Sequence, residues 1–223
     1  MIDLDREGPV FVLRMQSGEN RFNPAFVAAL NAALDEVERS TGDAALVTTG
    51  GTEKYFSNGL DLDWMMGPGA AEAARFIPNF IRLLGRIFAF PIPTVAALNG
   101  HAFAGGGMLA LAHDFRIMRV DRGYFCLNEI DLRMPLAPGM AALVTARLQG
   151  QVLRDVVLAG TRFGGPDCVA RGIAEEAVAL PDLLPRAIER ARALAGKDRT
   201  TYGTLKRNIY GTTIDVMAEG RLP

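Results

Sequence analysis

Along the first 125 positions, continuous apolar runs alternate with segments whose apolar residues have helical spacing. Continuous apolar runs typical of buried strands occur at PVFVLRM, AALVTTGG, PTVAALNG and FRIMRV, and GYFCLNE predicts a short further strand. A first helix is predicted by Asn23 as N-cap, Pro24 at the first helical position, and apolar residues at helical spacing, namely Phe26, Val27, Leu30, Leu34 and Val37. The segments AAEAARFIPNFIRLLGRIFAF and GMLALAHD predict two more helices, with Pro78 marking a kink or boundary. The alternation predicts an α/β domain of parallel strands covered by helices.

From Met140 onward the strand pattern nearly disappears. MAALVTARLQG, LRDVVLAG, PDCVARGI, LPRAIERARALAG and TTYGTLKRNIYG predict successive helices, and EEAVAL is the one possible strand among them. We expect this helical section to pack on the core or to reach a neighbouring subunit.

Composition narrows the class of protein. The chain has 24 Lys and Arg against 25 Asp and Glu, which argues against nucleic-acid or membrane-surface binding through bulk charge. Cys126 and Cys168 fit no disulfide framework, and with only His101 and His113 beside them we expect no metal site. The acidic start MIDLDREGPVFVLRM is unlike a signal peptide, and AEGRLP is not a peroxisomal address, so we expect a soluble cytoplasmic protein.

Three consecutive glycines, Gly105 to Gly107, stand where a helix is predicted to begin, although glycine in a helix costs roughly 0.5–1 kcal/mol against alanine. The phosphate-loop pattern fails because Gly106 and Gly107 occupy the Lys and Ser/Thr positions, and GHAFAG lacks the second glycine of a dinucleotide fingerprint. Two explanations remain: close packing of the helix on a strand, or exposed backbone N–H groups that stabilise an oxyanion.

A second glycine turn favours the oxyanion explanation. KYFSNGLDLDWM follows a predicted strand and carries Gly59 between a polar turn and an apolar stretch. Turns that follow parallel strands meet at the same edge of the sheet, where open α/β sheets bind ligands. Two N–H donors converging there on one carbonyl oxygen would form an oxyanion hole.

Together, YFSNGLDL, ALNGHAFAGGGMLALAHDFRIM and the following DRGYFCLNEIDLRMPLAPG resemble the enoyl-CoA hydratase/isomerase (crotonase) superfamily. The resemblance implies an α/β ClpP/crotonase-like spiral of ββα units over residues 1–139, with a helical section over 140–223. It also implies an acyl-CoA thioester substrate, a role in fatty acid β-oxidation and assembly as a homotrimer or dimer of trimers. No separate cofactor is expected, because coenzyme A is part of the substrate.

Carried over residue by residue, the resemblance assigns the oxyanion-hole donors to the backbone N–H groups of Leu60 and Gly105. It assigns substrate contacts to a further set around both motifs: Asn58, Gly59, Asp61, Leu62, Trp64, Gly106, Met108 and Leu136. Asp61 is also expected to brace its own turn.

The family's hydratases resemble one another in having two glutamates, and the corresponding positions here are Met108 and Glu129. Hydration uses two carboxyl groups, whereas moving a double bond from carbon 3 to carbon 2 needs one base that carries a proton from carbon 2 to carbon 4. LNE also resembles the monofunctional 3,2-trans-enoyl-CoA isomerases, and FSNGLDLDW resembles their plant peroxisomal branch. We therefore expect an enoyl-CoA isomerase with Glu129 as its single acid/base, in a buried site that raises the glutamate pKa.

Neighbouring residues receive simpler interpretations. His101 is expected to be a packed loop histidine, and Cys126 a buried small apolar residue. Asn128 would point away from the Glu129 face if the segment were extended.

One departure from the family concerns the CoA phosphates: a lysine that often follows the first motif is replaced by Asp63. Arg21, Lys54, Lys206 and Arg207 are the candidates to hold those phosphates instead.

Other crotonase reactions stay open as alternatives, namely a hydratase, hydrolase, decarboxylase or dienoyl-CoA isomerase. A noncatalytic or RNA-binding homologue is a further alternative, although the arginines of LPRAIERARALAGKDRTT are balanced by acids.

Overall fold

The structure is a computed structural model that describes residues 1–222, which form nine strands and nine helices. The strands, numbered along the chain, are β1 (Ile2–Glu7), β2 (Val10–Met15), β3 (Ala45–Gly50), β4 (Tyr55–Ser57), β5 (Thr94–Leu98), β6 (His101–Phe103), β7 (Phe115–Arg119), β8 (Phe125–Cys126) and β9 (Glu176–Val178). The helices are α1 (Pro24–Arg39), α2 (Leu62–Met66), α3 (Ala73–Phe88), α4 (Gly105–Ala112), α5 (Pro138–Arg147), α6 (Gly150–Val157), α7 (Gly165–Ala170), α8 (Leu180–Arg192) and α9 (Arg199–Glu219).

The strands form two sheets. The main sheet has the order β1-β2-β3-β5-β7-β9, in which only the β1–β2 pair is antiparallel, and the small sheet has the parallel order β4-β6-β8. Each of β3, β5 and β7 is followed by a strand of the small sheet and then by a helix. This repeated ββα arrangement confirms the predicted spiral. It also places the three short strands β4, β6 and β8 side by side in the small sheet.

The predicted periodicity of α1 is confirmed. Phe26, Val27, Leu30, Leu34 and Val37 are all buried. The Asn23 side chain accepts a hydrogen bond from the Phe26 N–H at 3.0 Å, which satisfies one of the unpaired donors of the first turn. Pro78 does not end α3: the helix continues from Ala73 to Phe88 and buries a broad apolar face.

The section after Met140 packs on the core of the same chain. The α9 helix lies against α3 and α5, and α8 covers the main sheet opposite α1. The EEAVAL segment does contain a strand, β9, which pairs with β7 in the main sheet. The predicted division at residue 139 falls within α5, so the two sections are continuous in the fold.

Three strands were not predicted. β1 lies at the exposed edge of the main sheet, and its apolar residues are only partly buried. β4 and β6 have three residues each, too few to establish a period of two. Across the described residues, no helix has the combined length and apolar character needed to cross a bilayer.

Candidate active site

A cavity of about 370 Å³ lies between the small sheet, α3, the N-terminus of α4 and the irregular segment 128–137. Its walls are mainly apolar, and its polar groups are concentrated in two turns and in the segment after β8. It is lined by Asn58, Leu60, Leu62, Ile77, Phe80, Phe103, Ala104, Gly105, Met108, Asn128, Glu129, Leu132, Arg133, Met134, Pro135, Ala137 and Met140. An apolar chamber with few polar groups is the usual form of a small-molecule site.

The turn after β4 directs the N–H of Leu60 toward the cavity. Phe22 donates its N–H to the Gly59 carbonyl at 2.8 Å and accepts the Asp61 N–H at 2.9 Å. Because backbone groups alternate in direction along an extended segment, the N–H of Leu60 points the opposite way from these two bonds. It has no acceptor within residues 1–222 and is available to a ligand.

The N-terminus of α4 supplies a second free donor. Gly105 is the first residue of the helix, so its N–H has no intrahelical acceptor, and the helix dipole places partial positive charge there. The preceding Ala104 adopts φ 47° and ψ −120°, a conformation that an L-residue rarely occupies. Its N–H donates to Cys126 at 2.9 Å and its carbonyl accepts from Met108 at 3.0 Å, and these bonds fix the sharp turn into the helix.

The glycines of α4 allow close packing of the helix and leave the N–H of Gly105 accessible to a ligand. A Cβ on Gly106 would lie 2.2 Å from the Ser57 carbonyl oxygen, and one on Gly107 would lie 2.8 Å from the Leu127 side chain. A Cβ on Gly105 would lie 2.9 Å from the Phe80 ring. Both explanations of the glycine run therefore apply: Gly106 and Gly107 permit packing, and Gly105 combines packing with an exposed N–H.

Glu129 is the carboxylate of the cavity lining among the described residues. Its side chain is half-buried, and its Oε2 atom is buried without a hydrogen-bond partner. Burial raises the pKa of Glu129 to about 7. A carboxyl group poised near neutrality can both take and return a proton.

Met108 lines the same cavity and is 1% exposed. Its flexible apolar side chain fills the wall at the start of α4 and offers no group that could activate water. The cavity thus combines one titratable carboxyl group with two free backbone N–H donors.

Comparison with known proteins agrees with this geometry. Residues 5–221 match the family model described as enoyl-CoA hydratase/isomerase. The chain belongs to the enoyl-CoA hydratase/isomerase family. It is 34% identical to enoyl-CoA delta isomerase 3 of Arabidopsis thaliana, covering 94% of this chain and 92% of that protein. It is also 34% identical to carnitinyl-CoA dehydratase of Escherichia coli, over 78% of this chain and 65% of the relative.

Solved structures of family members share the fold. A probable enoyl-CoA hydratase from Mycobacterium tuberculosis superposes with a TM-score of 0.90 at 27% identity, covering 98% of this chain and 92% of that one. A second structure of that same protein, described as the apo form of an enoyl-CoA isomerase, gives a TM-score of 0.90 at 26% identity, covering 98% of this chain and 95% of that one. One relative is thus described both as a hydratase and as an isomerase, and the family alone does not choose the reaction.

Of the substrate contacts expected from the family motifs, Asn58, Leu62 and Met108 line the cavity. Gly59 and Gly106 lie behind its wall, where they carry the turn and the packing described above. The Asn58 side chain donates to Glu19 at 2.8 Å, which anchors the turn before Gly59.

The other three expected contacts do not line the cavity. Asp61 caps α2 by accepting from the Trp64 N–H at 3.1 Å, as the bracing interpretation predicts. The Trp64 ring packs edge-on against Phe76 at 5.3 Å. Leu136 faces a separate apolar groove beside α5 and α6. The three side chains thus lie outside the lining of this cavity, and their contact with substrate stays a prediction.

The basic residues expected to hold phosphates differ in their availability. Lys206 is 5% exposed and its Nζ lies 2.9 Å from Asp114, so the structure removes it from the candidates. Arg21 is paired with Glu19 and Asp63. Lys54 is exposed and lies over the Tyr55 ring, with its ammonium 5.0 Å from the ring centre.

Arg207 forms an exposed ion pair with Asp215. His101 stacks on Phe103 at 4.8 Å and does not line the cavity, as expected of a packed histidine. Burial raises the pKa of the Cys126 thiol to about 11, which makes it a poor nucleophile.

Asn128 contradicts the extended-segment expectation. It lines the same cavity as Glu129, and its Oδ1 atom is buried without a hydrogen-bond partner. Strand β8 ends at Cys126, so the side chains of 128 and 129 do not alternate as they would in a strand. No pattern in the sequence predicts this turn or the strained backbone of Ala104.

Proposed function

We propose that this protein is an enoyl-CoA delta isomerase that converts a 3-enoyl-CoA to the 2-trans-enoyl-CoA. The observation that carries the proposal is the single buried carboxyl group of Glu129, which shares an apolar cavity with Met108 rather than with a second acid. The similarity to plant enoyl-CoA delta isomerases supports the same reaction.

The proposed reaction begins with the ionised Glu129 removing a proton from carbon 2 of the substrate. The electrons of that C–H bond form a dienolate, whose charge lies largely on the thioester oxygen. The N–H groups of Leu60 and Gly105 donate to this oxygen, and one such donor contributes roughly 3–4 kcal/mol to transition-state stabilisation in measured cases. Glu129 then returns the proton to carbon 4, and the double bond lies between carbons 2 and 3.

The proton balance of this cycle needs no water and no separate cofactor. The same proton leaves carbon 2 and arrives at carbon 4, so one base suffices. Coenzyme A enters and leaves as part of the substrate.

The proposal also includes a role in fatty acid β-oxidation, a cytoplasmic location and assembly as a homotrimer or dimer of trimers. Exposed apolar residues such as Ile130 and Leu158 are consistent with self-association.

Hydration of a 2-enoyl-CoA is the second candidate, since a carnitinyl-CoA dehydratase is also 34% identical. Hydration must activate water and protonate carbon 2, work usually shared by two acid/base groups. Met108 cannot supply the second one.

The decisive experiment follows 3-enoyl-CoA by absorbance and chromatography in wild type, Glu129→Gln and Asp131→Asn. Asp131 is an exposed carboxylate two residues away, and its variant controls for a change of charge in the same segment. We expect wild type and Asp131→Asn to produce 2-trans-enoyl-CoA, and Glu129→Gln to lose activity at least 100-fold while still binding a saturated acyl-CoA. Equal rates in all three proteins, or hydration without isomerisation, would refute the proposal.

A further inference from the structure

Arg133 occupies a backbone conformation that favours glycine. Its φ is 56°, in the left-handed region. The turn around it is closed by two nested hydrogen bonds, from Met134 N–H to the Glu129 carbonyl at 3.0 Å and from Arg133 N–H to the Ile130 carbonyl at 3.2 Å. This is the pattern of a Schellman turn, in which the position of Arg133 is usually glycine. The turn holds the backbone of Glu129, yet it would form more readily without a side chain at 133.

The side chain of Arg133 does not compensate for this strain through contacts within the chain. Other arginines, such as Arg21, Arg116 and Arg119, pair with carboxylates, whereas the Arg133 guanidinium has no ion pair or hydrogen bond within residues 1–222. Arg133 instead lines the cavity, and it is the cation of that lining. Backbone strain that is retained at a ligand cavity is a recognised mark of a functional position.

We propose that Arg133 is a specificity-determining residue that binds an anionic group of the substrate, either a carboxylate at the far end of the acyl chain or a phosphate of the coenzyme A moiety. The inference rests on the acyl-CoA site of the proposed function. A guanidinium presents a planar set of donors that matches both carboxylate and phosphate oxygens in a bidentate geometry.

Arg133 enters the cavity lining together with its neighbours Leu132, Met134 and Pro135. Its side chain is exposed as well as part of the lining, so an anionic group at the open side of the cavity can reach the guanidinium.

The test measures the affinity of three ligands that cannot isomerise: hexanoyl-CoA, adipoyl-CoA, which adds a terminal carboxylate, and hexanoyl-pantetheine, which lacks the nucleotide phosphates. Wild type is compared with Arg133→Gln, which removes the charge, and with Arg133→Gly, which also relieves the backbone. Arg192→Gln is the matched control, because Arg192 is an exposed arginine on α8, away from the cavity. The melting temperature of each variant is recorded, and Arg133→Gly is expected to be at least as stable as wild type.

If Arg133 binds an acyl carboxylate, both Arg133 variants weaken adipoyl-CoA at least 10-fold and hexanoyl-CoA less than 3-fold. If it binds a phosphate, both CoA thioesters weaken at least 10-fold while hexanoyl-pantetheine is unchanged. A change below 2-fold for every ligand, or an equal loss for all three, overturns the proposal. Since no ligand reacts, these outcomes are independent of whether wild type proves to be an isomerase.

Discussion

Gly59 and Gly105 lie in direct contact, and a side chain on Gly59 would crowd the backbone of Gly105. A Cβ on Gly59 would lie 3.1 Å from the Gly105 nitrogen, and a Cβ on Gly105 would lie 3.5 Å from the Gly59 Cα. Leu60 follows Gly59 directly, so this contact brings the N–H groups of Leu60 and Gly105 to the same end of the cavity. The proposed oxyanion hole thus depends on two turns that are distant in sequence.

Replacing Gly59 by alanine should strain the backbone at this turn and lower the rate of the reaction. The φ of Gly59 is +80°, and left-handed backbone costs an L-residue roughly 1–2 kcal/mol before the clash with Gly105 is added. We expect kcat for 3-enoyl-CoA to fall about 100-fold or more, as it does when one oxyanion donor is lost.

Gly8→Ala provides the matched control for this loss. Gly8 has φ +65°, and a Cβ there would meet nothing within 4 Å. Its variant should lose stability, measured by urea unfolding, but keep the kcat of wild type. An equal loss of kcat in both variants would mean that general destabilisation explains the effect.

The elements that the sequence predicted well are those whose periodic pattern is long enough to be read. The helix α1 carries the five predicted apolar residues on its buried face and has an Asn23 cap, and all of these signals are local. The buried runs of β3 and β5 were equally clear, because both strands lie in the centre of the main sheet. The family resemblance pointed to Leu60, Gly105 and Glu129, and all three line the cavity.

The features that the sequence did not predict depend on contacts between distant segments. Lys206 looked available for phosphate until the fold buried it against Asp114, a residue 92 positions earlier in the numbering. Asn128 faces the cavity because the chain leaves β8 early, which no periodicity over two residues can indicate. The strain at Ala104 arises from hydrogen bonds to Cys126 and Met108, and alanine gives no sign of it.

The activity of wild type should depend on the ionisation of Glu129. Burial raises the pKa of this carboxyl group to about 7, and the proposed reaction needs the ionised form in the free enzyme. We expect kcat/KM to be constant above that pH and to fall tenfold for each pH unit below it. A rate profile measured from pH 5.5 to 8.5 that stays flat would contradict the role of Glu129, and Asp131→Asn should reproduce the wild-type profile.

The same burial should make stability depend on pH in a defined direction. Below the ordinary glutamate pKa of 4.5, Glu129 is protonated in both folded and unfolded states and carries no penalty. As pH rises from there to about 7, the unfolded chain releases its proton first, so the folded state loses stability. Glu129→Gln lacks this loss, and its advantage over wild type should be about 1–3 kcal/mol greater at pH 8 than at pH 4. Urea unfolding at both values measures the difference, and an equal difference at the two pH values would argue against the raised pKa.

Met108 should decide between isomerisation and hydration. Met108→Glu adds a second carboxyl group to the cavity wall, and Met108→Gln is a control of similar length without acid or base. We expect wild type and the glutamine variant to hydrate 2-trans-enoyl-CoA at a negligible rate, and the glutamate variant to gain at least 10-fold. The loss of conjugated thioester absorbance measures this reaction. Hydration by wild type as fast as its isomerisation would show that one carboxyl group suffices and that the residue at 108 does not select the reaction.

Lys206 should contribute to stability rather than to substrate binding. Its ammonium is buried between the Phe90 carbonyl at 3.0 Å and Asp114 at 2.9 Å, and it joins α9 to the core. Lys206→Met leaves Asp114 buried with fewer partners, and breaking a buried pair in this way costs roughly 3–5 kcal/mol. Asp114 keeps hydrogen bonds to Thr94 and Tyr202, so we expect a loss of about 2–3 kcal/mol in urea unfolding.

The KM of the Lys206→Met variant for acyl-CoA should stay within 2-fold of wild type. Arg207→Gln, which removes an exposed cation on the same helix, should change stability by less than about 0.5 kcal/mol. A large rise in KM for Lys206→Met without a loss of stability would restore Lys206 as a phosphate ligand.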